Sequence, residues 1–450
     1  SLYRAEQIIC ERINALSEGQ HPLGEIDAKS AVGWAQQRLG FPFARGQAQA
    51  LTMAVSRKFS VITGGPGVGK TTILRACMRV FSAKKLVVAL AAPTGRAAKR
   101  MSESTGAEAL TIHRLLEYDP SIGQFRRNSK ERLDAHVVVV DEASMLDVEL
   151  AASLLLAVRD DAAVLFVGDA DQLPSVGPGR VLWDTIESNK VHCCELTEVF
   201  RQGRESSIVS NAHRINSGDM PYWPRGRVEQ PEGNDFYFFS AEEPEKARSL
   251  LVDLVARRIP DQFGFRPMED IQVITPMQRG ELGAVSLNEA LKAAVNPKPA
   301  FVKKFNREYS VGDKVMQVVN DYDKNVFNGD IGRIQGIDEK DSRLTVMFDN
   351  ELVTYEFSEL DELVPSYAIT IHKSQGSEYP CVVIALHTTH YIMLQRNLIY
   401  TAVTRARKLC VLVGNTRALG RAVSNTDSSR RITRLRELLA ENFRKPQEAP

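Results

Sequence analysis

An α/β protein with two parallel sheets is predicted by three features of this 450-residue sequence. Short apolar runs recur at 59–63, 86–90, 137–140 and 164–167, separated by stretches long enough for helices. Strands that are apolar on both faces lie in parallel sheets, because each crossover lays a helix on one face. A second series at 271–274, 382–386 and 409–413 repeats the pattern and calls for a second domain. It is interrupted at 305–365 by shorter, closely set runs with Asn328-Gly329 and Asp349-Asn350 as turn signals, the pattern of a small antiparallel β-barrel.

The order expected along the chain is a helical segment at 1–42, a first α/β domain at 43–225, a second at 226–304 and 366–450, and the β module at 305–365. In the first segment Ile8, Ile9, Ile13 and Leu16 form an apolar stripe with no attached chemistry. The chain starts Ser1-Leu2-Tyr3 without a methionine, so a fragment is expected. Lys and Arg number 57 against 56 Asp and Glu, a net charge of +1. Global charge therefore lends nucleic-acid binding no support, and any such binding rests on local patches. The six cysteines form no C-x-x-C pair, which predicts reduced thiols in a cytoplasmic protein. No apolar run approaches bilayer-spanning length, so no membrane partner is expected.

Chemistry enters at Gly64-Gly65-Pro66-Gly67-Val68-Gly69-Lys70-Thr71, which fits G-x-x-x-x-G-K-[ST] directly after an apolar strand. Such glycines let backbone N–H groups turn onto phosphate oxygens at a helix N-terminus. Lys70 is expected on the β- and γ-phosphates and the Thr71 hydroxyl on Mg²⁺, with Gly65 through Thr72 forming the cradle. Asp141 and Glu142 follow the strand at 137–140, where Asp141 suits the metal's coordination sphere and Glu142 suits the attacking water. Gln172 follows the strand at 164–167, and its amide is placed to sense a γ-phosphate, because parallel-sheet ligands sit at strand carboxyl ends.

The segments at 64–72, 92–101, 111–116, 141–144, 168–179, 196–202, 369–379 and 398–408 resemble, in order, the motif series of superfamily 1 helicases. Ala92-Pro93-Thr94-Gly95-Arg96, Thr111-Ile112-His113-Arg114 and Ile371-His372-Lys373-Ser374-Gln375-Gly376 are most similar to the RecD-like members. The resemblance covers roughly residues 43–420. It implies two RecA-like P-loop domains with ATP and Mg²⁺ between them, an SH3-like inserted module, and a role in DNA repair or recombination. It also implies an ATP-hydrolysing DNA helicase, 5′→3′ in direction, whose partners are single-stranded DNA and single-/double-strand junctions. Gln47 matches the adenine-reading glutamine. Arg405 would reach the nucleotide from the second domain, Arg201 from the domain boundary, and Arg279 would be a further cleft arginine. Longer members carry an N-terminal helix-hairpin-helix region that nothing in 1–42 matches.

Thr94, His113, Thr370, His372 and Ser374 are implied as contacts to a single strand. From the residues alone, each histidine is equally well a hydrogen-bonded structural one. Residues 117–133 occupy the place of the RecD-like duplex-splitting pin, where Phe125 and Arg126 suit an aromatic, basic surface; a solvated loop is the alternative. Lys303, Lys304, Arg307, Lys314 and Lys324 of the β module are candidate guides for DNA. The motifs do not separate a helicase from a translocase on DNA or RNA that lacks unwinding. A GTP-driven switch is disfavoured by the absence of an N/T-K-x-D motif.

Overall fold

The computed structural model describes residues 1–198, 206–223, 234–297, 302–349, 351–426 and 431–442, with Asn442 described by its backbone alone. Contacts divide it into two units, Ser1–Gly203 with Ser429–Pro450, and Arg204–Ser428.

The first unit opens with α1 (Leu2–Ser17), α2 (Ala28–Leu39) and α3 (Arg45–Ser56). Its strands are β1 (Phe59–Gly64), β2 (Val88–Ala92), β3 (Ala109–Thr111), β4 (Tyr118–Asp119), β5 (Gln124–Phe125), β6 (Val137–Val140), β7 (Ala163–Gly168) and β8 (His192–Leu196). Interleaved helices are α4 (Lys70–Ala83), α5 (Gly95–Thr105), α6 (Ile112–Leu115), α7 (Val148–Ala157) and α8 (Val181–Glu187). Six of the strands form one parallel sheet in the order β3-β2-β6-β7-β1-β8. Every residue of β1, β6 and β7 is buried, as expected for strands with helices on both faces. That burial makes their carboxyl ends firm platforms for the loops attached to them.

The second unit holds α9 (Ser207–Ser217), β9 (Phe236–Ser240), α10 (Pro244–Asp253), α11 (Ile259–Phe263), β10 (Ile271–Thr275) and α12 (Ala284–Val295). Next come β11 (Val302–Lys304), β12 (Arg307–Tyr309), β13 (Lys314–Gln317), β14 (Ile331–Asp338), β15 (Arg343–Phe348), β16 (Glu351–Glu356) and β17 (Leu363–Pro365). The unit closes with β18 (Ala368–Thr370), β19 (Tyr379–Leu386), α13 (Arg396–Val403), β20 (Ala406–Gly414) and α14 (Thr416–Ser424). Its parallel sheet runs β18-β10-β19-β20-β9. The inserted module is an antiparallel sheet, β16-β15-β14-β13-β17, beside the β11–β12 hairpin. Burial alternates along β15 and β16, so one face makes a small core around Tyr309, Leu344, Val346 and Tyr355.

Three boundaries differ from the sequence expectation. Residues 1–42 are not a separate segment: α1 buries Ile9, Ile13 and Leu16 in the same core as α7, and Val32 and Ala35 of α2 pack with α3 and α4. The contact division falls at 203/204 rather than at 225, because α9 packs on α13. The C-terminal segment belongs to the first unit: α15 (Leu435–Asn442) sets Leu435 and Leu439 beside α1 and α8. Adjacency along the chain suggested the opposite, and an eight-residue helix carries too little periodicity to correct it.

Candidate nucleotide and nucleic-acid sites

Strand β1 delivers the phosphate loop. Gly67 and Gly69 adopt φ of 72° and 88°, the left-handed region in which a side chain is penalised, so α4 can begin directly at Lys70. The Lys70 ammonium donates to the carbonyls of Gly64 and, at 2.9 Å, Gly65. Val68 is buried beneath the loop, Gly65 and Pro66 are half-buried, Thr71 is exposed and Thr72 half-buried on the first helical turn.

Strand β6 delivers the carboxylates. Burial, and then the neighbouring Glu142 carboxylate, push the Asp141 pKa upward, while Lys70 and Arg100 pull it down. The Glu142 N–H donates to Asp141 Oδ1 at 2.8 Å. Glu142 itself lies at φ 51°, ψ 39°, a left-handed conformation that costs a non-glycine residue about 1–2 kcal/mol. Nothing in the sequence announced that strain, and strained backbone clusters where side chains must be aimed.

Strand β7 delivers Gln172, which is buried with its amide donating to Asp169 Oδ2 at 2.9 Å. The same loop is tied to β1, because the Ala170 N–H donates to Thr63 Oγ1 at 3.3 Å. Gln47, in the first turn of α3, accepts from the Ala44 N–H at 3.2 Å, but its buried Nε2 has no partner among the described residues. An unpaired buried amide is costly, so this donor fits a ligand such as a purine base. Among the described residues no group of three or more His, Cys, Asp or Glu side chains could hold a metal ion. A divalent cation at Thr71 and Asp141 would thus draw most of its ligands from phosphate and water, as Mg²⁺ commonly does.

The predicted arginines fare differently. Arg405 is 3% exposed, and its guanidinium donates to Thr401 O at 3.1 Å, Ser377 O at 3.0 Å and Thr404 Oγ1 at 3.1 Å. The expectation of a guanidinium open to a nucleotide is corrected by this packing. Arg279 is exposed in the loop after β10. Arg201 lies outside the described residues.

Thr94 caps α5, its hydroxyl accepting from the Ala97 N–H at 3.3 Å. His113 on α6 packs edge-on to Tyr118 with ring centres 5.8 Å apart, and 5.6 Å from Phe125. Tyr118 and Phe125 pair across the β4–β5 hairpin, which fills the place expected for a pin. Ile122 at its tip is 61% exposed. Arg126 and Arg127 pair with Asp119 at 2.9 Å and Glu117 at 2.7 Å, so these two cations of the run that read as basic are neutralised within the hairpin. The sequence reading missed Tyr118 and Ile122; an aromatic before the Pro120–Gly123 turn and an isoleucine within it were the available signal.

In the second unit Thr370 ends β18, and its hydroxyl accepts from the Lys373 N–H at 3.4 Å. His372 is half-buried in the turn after it. Ser374 is corrected: it is fully buried and donates to Ile371 O at 2.7 Å, so its hydroxyl faces the protein. A cavity of about 620 Å³ is lined by Thr370 and Lys373 together with Lys303, Arg307, Asn288 and Lys292. Lys314 does not join them, being buried and bonded to Ile271 O at 2.9 Å. Lys324 pairs with Glu359 at 2.9 Å over the Tyr355 ring.

Three family models match parts of the chain. One described as an AAA domain matches residues 47–178, one described as an ATP-dependent RecD-like DNA helicase SH3 domain matches 287–348, and one described as a UvrD-like helicase C-terminal domain matches 365–413. An ATP-dependent RecD2 DNA helicase of Deinococcus radiodurans is 38% identical over 394 residues, spanning 88% of this chain and 52% of that protein. The chain thus covers about half the length of that relative. The RecBCD enzyme subunit RecD of Mycolicibacterium smegmatis is 30% identical over 440 residues, 91% of this chain and 76% of its own. Two Pif1 structures share the fold: one described as the structural basis for DNA unwinding at forked dsDNA by two coordinating Pif1 helicases (TM-score 0.52, 20% identity, 82% and 91% of the chains), and one from Bacteroides in complex with ADP-AlF3 and single-stranded DNA (0.50, 18%, 84% and 94%).

Proposed function

This chain belongs to the RecD-like helicase family, and from that premise we propose that it is an ATP-driven DNA motor that moves 5′→3′ on single strands and opens duplexes. The observation that carries the reading is the convergence of three strand ends in one unit. Lys70 follows β1, Asp141 and Glu142 follow β6, and Gln172 follows β7, all in one parallel sheet. In that arrangement the loop N–H groups and Lys70 bind the phosphates, Gln47 reads the base, and Glu142 orients the water whose attack Gln172 senses. Thr71 and Asp141 would hold Mg²⁺, whose charge offsets that of the phosphates. Arg405, Arg279 and Arg201 remain the arginines assigned to the nucleotide, Arg405 on condition that it leaves its present partners.

The DNA track of this proposal consists of Thr94 and His113 in the first unit and of Thr370, His372 and the cavity lined by Lys373 and Arg307 in the second. The β4–β5 hairpin is its pin: the His113, Tyr118 and Phe125 rings stiffen the base and Ile122 presents an apolar tip to the end base pair. Replacing residues 121–124 by a Gly-Ser turn should abolish unwinding and leave strand-stimulated ATP turnover within about twofold. Persistent unwinding would remove the hairpin from the mechanism.

The deciding experiment is ATP-dependent unwinding of partial duplexes with a 5′ or a 3′ single-stranded tail, beside Lys70→Ala. Unwinding from the 5′ tail alone, lost in the variant, is the expected result. Opening from the 3′ tail alone would overturn the direction. Turnover without opening of either would make the protein a translocase.

A further inference from the structure

The loop that carries Gln172 is held at its far end by a guanidinium from the C-terminal segment. This loop, residues 169–180, joins β7 to α8, and Gln172, Leu173 and Ser175 are buried in it. Beyond Pro174 it folds so that three carbonyls converge on Arg431. One terminal nitrogen donates to Gly177 O at 2.6 Å and Gly179 O at 2.9 Å, and the other donates to Ser175 O at 2.7 Å. Three like-oriented carbonyl dipoles repel each other, and a planar, fixed cation is the side chain suited to hold them together.

The same loop is fitted to the start of α7. The Val148 N–H donates to Pro178 O at 3.0 Å. A Cβ on Gly177 would lie 2.5 Å from the Asp147 carboxylate, and one on Gly179 would lie 2.2 Å from the Val148 side chain. Asp147 and Val148 stand one short turn after Asp141 and Glu142. The loop therefore connects the strand end bearing Gln172 with the one bearing the carboxylates. Arg431 is in turn fixed by the residues just after it in the chain. Thr433 Oγ1 lies 2.7 Å from Glu6 and 2.9 Å from Asp184, and the Arg434 N–H donates to Glu6 at 3.2 Å. Leu435 and Leu439 then enter the core beside Ile9 and Ile13.

We propose that Arg431 is a positioning residue for nucleotide hydrolysis, acting through the 172–179 loop to set Gln172 and, through the start of α7, Glu142. The proposal rests on the ATPase reading above. Because Arg431 touches the loop and not the phosphate cradle, its loss should lower kcat and leave nucleotide affinity alone. Small displacements of catalytic groups are expensive in rate, which sets the expected scale at about 10- to 100-fold.

The test compares Arg431→Ala and Arg431→Lys with the parent chain in strand-stimulated ATP turnover, with amide hydrogen exchange and thermal melting measured alongside. The expected result is kcat down about 10- to 100-fold in Arg431→Ala with KM for ATP within about twofold. Exchange should accelerate at 172–179 but not at 64–71, and Arg431→Lys should fall between the two proteins. Parent-like kcat in folded Arg431→Ala would overturn the proposal, as would a matched change in kcat and KM in Arg431→Lys. A parent chain that turns over no ATP overturns the ATPase reading first, before any variant is compared.

Discussion

The two parallel sheets of this protein are built alike, yet particular polar groups at their loops are left in different states. In the first unit Gln47 keeps a buried amide without a partner among the described residues, and Glu142 holds a left-handed backbone. In the second unit Thr275 donates to Leu282 O at 2.6 Å, Ser374 to Ile371 O at 2.7 Å, and Arg405 bonds three acceptors at about 3 Å, while Gln272 Oε1 and Ser377 Oγ are buried without a partner among the described residues. An unsatisfied donor or a strained residue survives only where something else compensates it: the surrounding structure, an ordered water, an ion or a ligand. A fold shared by both units therefore says little about chemistry; the state of the groups at the loops says much more.

The contrast is open to direct attack by mutation. Lys70→Ala should lower ATP turnover by about 100-fold or more while leaving the melting midpoint near that of the parent, because the lysine serves the ligand. Arg405→Ala should lower turnover too and, unlike Lys70→Ala, should also cost about 1–3 kcal/mol of stability in urea unfolding, because it leaves buried acceptors unpaired. Stability lost with turnover intact would take the arginine out of the nucleotide site and leave it a structural residue of the second unit.

A smaller effect concerns the anchor of the C-terminal segment. Burial raises Asp184 from its ordinary value near 3.8 to about 6, with Thr433 and Arg180 opposing and Glu6 and Glu437 reinforcing the shift. The folded protein thus keeps this proton where the unfolded chain has released it. Stability from this group is greatest at low pH and declines as pH rises from about 4 to about 6, by on the order of 2 kcal/mol. Asp184→Asn cannot ionise, so the parent's melting midpoint should fall relative to the variant's across that window. A constant gap would show that Asp184 does not titrate there.

Much of this was readable in advance, for physical reasons that also explain the gaps. Strands buried on both faces must be apolar throughout, so β1, β6, β7, β10, β19 and β20 stand out in the sequence, and the glycine loop at 64–71 marks its own helix start. The alternating strands of the inserted module were equally plain. What stayed hidden depends on distant contacts or on direction. The pairing of α1 with α15 joins residues more than 400 apart, as in the bond from the Cys10 thiol to Leu438 O. A serine or arginine in a motif gives no sign of which way it faces, so Ser374 and Arg405 looked open and are buried. The Arg126–Asp119 and Arg127–Glu117 pairs exist only once the hairpin has folded.

That long-range pairing also sets an order of events during synthesis. Ile9 and Ile13 await Leu435 and Leu439, yet the whole second unit, Arg204–Ser428, is translated in between. At about 5–20 residues per second the delay is roughly 10–45 s. For that time a nascent first unit carries an uncovered apolar groove along α1, which a chaperone or a neighbouring chain can occupy. The later domain can therefore be complete while the earlier one still waits for its last helix.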